Sequence, residues 1–224
     1  MPKTRHDAGL IMVTPEQCTP TLLMQTVLPF GKDIFQRNNV IVYGLLDDDT
    51  TLHNTEIGEY TIMGSTDDDG FLILIGKKCE AFVAVEERAV RRDLVEMLND
   101  RRHVMPVNAI HDTAVISSFA EIGHGNLIAA RAVVNAKATV GNHSLIQTGA
   151  VIEHGATVGD YANIGAGSIV GSGASIDDDA FIGSGVTIIA GVKIGKGASV
   201  GAGSVVVEDV PAKGRVFGNP AKKV

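Results

Sequence analysis

The sequence predicts two folds in one chain: a small α/β domain, Rossmann-like in its alternation of strand and helix, then an all-β parallel helix. Three observations carry this. At every sixth residue from Ile110 to Val206, seventeen positions in all, the residue is Ile or Val. Four residues after each, thirteen are Ala or Ser, three are Val, and only Asn126 departs. Before residue 107 this period is absent, and apolar runs alternate with an amphipathic segment.

In chain order, "LIMV" and "VIVYGLL" read as buried strands, as do "FLILIG" and "AFVAV". "EERAVRRDLVEMLND" reads as a helix with Ala89, Val90, Leu94, Met97 and Leu98 on one face. Strands mixed with helices make residues 1–106 a small α/β domain with a partly parallel sheet. The stretch "RRHVMPVN" links it to the repeat domain, residues 107–224.

A period of six fits neither an α-helix nor a plain alternating strand. It fits a short strand and a turn, with one β-branched residue inward per unit. Three units close a triangular coil of eighteen residues, and coils stack as parallel strands about 4.8 Å apart. Small residues at the fourth position leave room at the corners. Glycine one residue past the inward position (123, 141, 159, 165, 171, 183, 195, 201) is read as allowing close approach and unusual φ. Nothing interrupts the hexads, so no large lid grows from the prism.

Composition agrees. Of 224 residues, 45% are hydrophobic but only 4% aromatic, and Trp is absent, so the core is built from Ile, Val, Leu and Ala. A net charge of -7 without a basic stripe argues against nucleic acid. Cys18 and Cys79 form no CxxC pair and read as reduced thiols of a cytoplasmic protein. Neither a signal-peptide core nor a membrane span is expected, since "LIMV" is the whole apolar run near the start. The acidic runs Asp47–Asp49, Asp67–Asp69 and Asp177–Asp179 read as solvated turns, with no metal.

The hexads and the ending "VPAKGRVFGNPAKKV" resemble the hexapeptide-repeat acyltransferases with a left-handed parallel β-helix. That resemblance implies the left hand, a homotrimer, and acetyl-CoA in the groove between neighbouring prisms. The N-terminal features "YGLLDDD", "YTIMGSTDD", "FVAV" before a helix and "VNAIHDTAVIS" narrow it. They resemble the bacterial acetyltransferases of sialic acids and of nucleotide-linked 4-amino sugars. The implied activity is acetyl-CoA-dependent N-acetylation of an amino sugar, with sugar O-acetylation as the alternative.

Acetyl transfer to an amine needs a base near neutrality, and histidine suits it. His154, in "GAVIEHGATVGD", holds the position of the catalytic base in the family's "V-[DE]-H-[DE]", with Glu153 as the acid before it. The acid after it is replaced by Gly155, and a second family histidine by Asn163. Asn163 can still hydrogen-bond a thioester carbonyl or a pantetheine amide. Steps of eighteen put Ser172 and Ala190 on the corner of His154. The family offers a backbone N–H to the acetyl carbonyl at Ser172, and the neighbouring chain would present Ser184 and Ala202. Asp47 and Asp48 match the acidic pair used on the substrate side. The family's glycine-rich phosphate loop is here "TPEQCTPT", with two prolines, Glu16 and no glycine.

Two other readings compete. A γ-type carbonic anhydrase shares the β-helix, but its H-x4-H zinc pair is missing; His124 and His143 share one corner and His154 lies on another. A trimeric scaffold without catalysis would also tolerate Gly155 and Asn163.

Overall fold

The computed structural model describes residues 10–15, 40–57 and 60–224, and the chain divides into two compact units, Met1–Val107 and Asn108–Val224. In the first unit, β1 (Leu10–Pro15) pairs antiparallel with β2 (Val40–Leu46) and with β5 (Glu80–Phe82). β4 (Tyr60–Gly64) lies parallel to β2 and antiparallel to β3 (Glu56–Ile57). The sheet order is β3-β4-β2-β1-β5, so among the described strands the parallel pairing is confined to β2 and β4. Cys18 and most of the "TPEQCTPT" loop lie outside the described residues.

Two expectations for this unit are corrected. "FLILIG" is not a strand: residues Asp69–Leu72 form a short helix, α1. The Asp68 carboxylate accepts the Gly70 N–H at 2.7 Å and starts that turn, and Leu72 and Ile75 are buried at helical spacing while Ile73 is exposed. The second helix, α2 (Arg88–Arg102), buries Arg91, Leu94, Val95 and Leu98, whereas Ala89 and Val90 face solvent. The face is rotated because a charged residue is inside. Arg91 is 1% exposed, and its guanidinium donates to the carbonyls of Val85 (2.7 Å) and Glu86 (2.9 Å). Those bonds tie the end of "FVAV" to the helix and satisfy the buried cation.

The second unit is a three-sided prism. Its seventeen two-residue strands run from β6 (Ala109–Ile110) to β22 (Val205–Val206), and each pairs in parallel with the strand eighteen residues away. The pairing yields three parallel stacks, one on each side of the prism. This arrangement fits the left-handed coil that the family resemblance implies. From Ile128 on, the stepped Ile and Val side chains are 0–2% exposed, and each contributes about 1.5–3 kcal/mol by burial. From Ala132 on, the fourth-position Ala and Ser are buried as well, so they fill the inside of each corner.

Asn126, the one departure from the small-residue rule, is accounted for by hydrogen bonds along the stack. Its Oδ1 accepts the Ser144 N–H (2.8 Å) and its Nδ2 donates to the Gly141 carbonyl (2.8 Å). Ser144 and Ser168 continue such bonds in later coils. A buried polar side chain is tolerated there because each of its groups has a partner.

The glycines need a third correction. Gly165 and Gly171 do not take positive φ; a Cβ at either would lie 2.5–2.6 Å from backbone of the next coil. They serve close approach alone. The left-handed conformation falls two residues later, at fourteen consecutive corner positions from Gly125 to Gly203. Five of those fourteen, Arg131, Lys137, His143, Tyr161 and Asp179, are not glycine.

After the last coil the chain turns back: β23 (Arg215–Gly218) lies parallel to β21 (Ser199–Val200), and β24 (Ala221–Lys223) pairs antiparallel with β23.

Candidate functional site

Each coil has three corners, and every corner stacks a column of residues eighteen apart. The first column is Ser118, Ala136, His154, Ser172 and Ala190; Gly155, Gly173 and Gly191 donate to the carbonyls of Ala136, His154 and Ser172. The second is His124, Asn142, Asp160, Asp178 and Lys196. The third is Ala130, Thr148, Ala166, Ser184 and Ala202, joined likewise through Gly167, Gly185 and Gly203.

The columns differ in what their side chains do. On the second, Asp160 accepts the Asn142 N–H (2.7 Å), Asp178 accepts the Asp160 N–H (3.0 Å), and Lys196 bonds Asp178 (3.1 Å). On the first, His154 is exposed and its ring makes no hydrogen bond within the described chain. Glu153 bonds elsewhere: its Oε2 accepts from Asn135 Nδ2 at 3.1 Å, one coil below. Asn135 was missed in the sequence, although subtracting eighteen from 153 finds it. Ser172, Ala190, Ser184 and Ala202 are all exposed and small.

The sides of the prism differ as strongly. The side between the third and first columns presents Val115, Val133, Val151, Ile169, Thr187 and Val205 outward, with Val115 60% and Ile169 41% exposed. The side between the first and second presents Glu121, Thr139, Thr157, Ser175 and Lys193. Asn163 sits on the remaining side, opposite the corner of His154, and its Oδ1 is buried with no hydrogen-bond partner among the described residues. One chain therefore does not bring His154, Asn163 and Ser184 together.

Asp47 and Asp48 follow β2. Asp47 is buried and its Oδ1 accepts the Asp49 N–H (2.7 Å), while its carbonyl meets His53 Nε2 (2.8 Å). Asp48 is exposed and accepts from the N–H (2.9 Å) and hydroxyl (2.8 Å) of Thr66. Asp49 and Asp68 cap short helical turns, and Asp69 pairs with Arg101. Among the described residues no three His, Cys, Asp or Glu side chains are grouped to hold a metal ion. His143 is buried against the Tyr161 ring, centroids 4.9 Å apart, and its N–H donates to the His124 carbonyl. Burial pushes the Cys79 thiol up to about 11, against the opposing pull of Arg102, so it is a poor nucleophile. No described helix is long and apolar enough to cross a membrane.

Residues 137–172 and 173–207 match the bacterial transferase hexapeptide family (six repeats), so the prism carries that family's repeat. Among curated protein sequences there is no significant match. The chain is similar to the perosamine N-acetyltransferase from Caulobacter crescentus, solved with CoA and GDP-perosamine. The two are 29% identical over 89% of this chain and 91% of that one, with a TM-score of 0.77. That enzyme was crystallised with one histidine replaced by asparagine or by alanine. The acetyltransferase domain of PglB from Neisseria gonorrhoeae is 28% identical over 80% of this chain and 85% of its own, with a TM-score of 0.72. WeeI from Acinetobacter baumannii is 27% identical over the same shares, 80% and 85%, with a TM-score of 0.68.

Proposed function

We propose that this chain is an acetyl-CoA-dependent N-acetyltransferase acting on the amino group of a nucleotide-linked sugar, in the cytoplasmic synthesis of a bacterial surface glycan. The carrying observation is His154, an exposed and unbonded imidazole on a corner that the coils above reduce to Ser, Gly and Ala. Likeness over 89% of this chain to an enzyme solved with CoA and GDP-perosamine supports the same reading.

The working unit is a homotrimer. The apolar side of the prism lies between the column of His154 and the column of Ser184 and Ala202. A threefold assembly that buries this side sets the first column of one chain beside the third column of the next. Asn163 lies on the side just before that third column, so it too would line the groove. Its buried Oδ1 is an acceptor and suits an amide N–H of the pantetheine arm. Ser184 and Ala202 opposite Ser172 leave a slot for that arm.

In the reaction the acceptor nitrogen attacks the thioester carbonyl carbon, the N–C bond forms, and the C–S bond breaks. His154 takes the proton from the nitrogen and returns it to the departing thiolate. The N–H of the Ser172 turn meets the acetyl oxygen while it carries negative charge. Glu153, held by Asn135, is the acid beside the base in the chain. Asp47 and Asp48 remain the acidic pair assigned to the substrate side, Asp48 by its exposure and Asp47 by shaping the turn that bears it.

The test is acetyl-CoA turnover against a panel of amino sugars, free and linked to GDP, UDP or dTDP, with sialic acid as the hydroxyl acceptor. Amide formation on a nucleotide-linked sugar is expected. Ester formation alone, or reaction of free sugars alone, overturns the proposal.

A further inference from the structure

We propose that the N-terminal half of the His154 corner is the acceptor's own subsite, with Lys137 taking the diphosphate and Phe119 stacking on the base. This rests on the proposed acetylation of a nucleotide-linked sugar, and it assigns two residues on the side of His154 away from the pantetheine slot.

The corner is asymmetric about its histidine. Toward the C-terminus its residues are Ser172, Gly173, Ala190 and Gly191, which leave space. Toward the N-terminus the coils carry Ala136 and Lys137, then Ser118 and Phe119. Coils repeat at about 4.8 Å, so Lys137 stands one step and Phe119 two steps below the histidine. A hexose spans one such step between a ring amino group and its anomeric phosphate, and the base follows beyond. The order histidine, cation, aromatic ring therefore matches the order amine, diphosphate, base.

Each residue carries an independent sign of use. Lys137 holds a left-handed φ of 60° where its column mates Gly155, Gly173 and Gly191 are glycine. A lysine there takes a conformation that glycine adopts at less cost. It is exposed and makes no ion pair among the described residues, unlike Lys196 on the second column. Phe119 is 76% exposed, more than any other described aromatic side chain. The backbone beneath both is fixed, since the Lys137 N–H donates to the Phe119 carbonyl (2.9 Å) and the Phe119 N–H to Ser117 Oγ (3.2 Å). A lysine supplies charge-assisted bonds, and an aromatic face accepts any base by stacking.

The experiment is calorimetric titration of the assembled full-length protein with GDP, UDP and dTDP, without acetyl-CoA. Wild type is expected to bind at least one. Lys137→Ala and Phe119→Ala are each expected to weaken it about tenfold, Lys137→Arg to restore most of the loss, and Lys196→Ala, the charge control, to leave it unchanged. No diphosphate bound by wild type, or equal affinity in wild type and both alanine variants, overturns the assignment. Turnover separates the two proposals. Diphosphates bound through Lys137 and Phe119 with no amino sugar acetylated would remove the proposed reaction and keep the subsite. Acetylation of a nucleotide sugar with an unchanged KM in both variants would remove only the subsite.

Discussion

Two corners of the same prism, built on one backbone plan, have opposite characters. At the second column Asn142, Asp160, Asp178 and Lys196 bond one another from coil to coil. At the first, the His154 ring makes no hydrogen bond among the described residues, and the side chains of Ser172 and Ala190 above it make none there either. A stack of identical turns needs only one stitched edge to hold its register. The edge left unstitched keeps its polar atoms and its space for another molecule.

Damage at the two corners should therefore appear in different measurements. The largest effect is expected from His154→Ala: acetylation falls about 10²–10⁴-fold, while the melting temperature and acetyl-CoA binding stay as in wild type. Wild-type turnover in that variant would make the histidine a surface residue. Asp160→Ala is the mirror image. It strands the Asn142 N–H and should cost about 1–2 kcal/mol, a fall in Tm of roughly 2–8 °C, with kcat unchanged. A drop in kcat without loss of stability would erase the distinction between the corners. The smallest change, Gly155→Asp, puts a carboxylate next to the imidazole. The space is open, because a Cβ at Gly155 meets nothing within 4 Å, but φ is 66° and the substitution is strained. A neighbouring negative charge raises the histidine pKa, so the acidic limb of the kcat/KM profile should move to higher pH. Turnover above that limb should rise by about two- to fivefold. An unmoved limb would show that the new acid does not reach the ring.

Much of the prism was legible because its rule repeats: one inward Ile or Val and one small residue per hexad leave little freedom. The stacking of His154 with Ser172, and of Ser184 with Ala202, followed from the eighteen-residue coil alone. What was misread has local causes. "FLILIG" is apolar enough for either structure, and Asp68, by capping Gly70, decided for the helix. Arg91 looked like a surface charge because its acceptors, the carbonyls of Val85 and Glu86, are backbone atoms that no sequence pattern marks. The glycines one residue past each inward position were credited with the unusual φ that belongs two residues later, where His143 and Tyr161 hide the pattern. Asn163 and Ser184 could be named, but they face away from His154 in one chain, so their convergence needs a partner that no single-chain pattern describes.

The returning hairpin at the end of the prism bears on solubility. A parallel stack is self-templating: its last coil offers bare N–H and C=O groups in the register that the first coil of another molecule could continue. Here β23 extends one side and β24 then runs the opposite way, placing Lys222 and Lys223 along the rim. A reversed strand bearing charge breaks the repeat that an incoming coil would have to copy. Prisms can meet flank to flank through their apolar side, yet end-to-end growth into fibres is blocked on the side the hairpin covers.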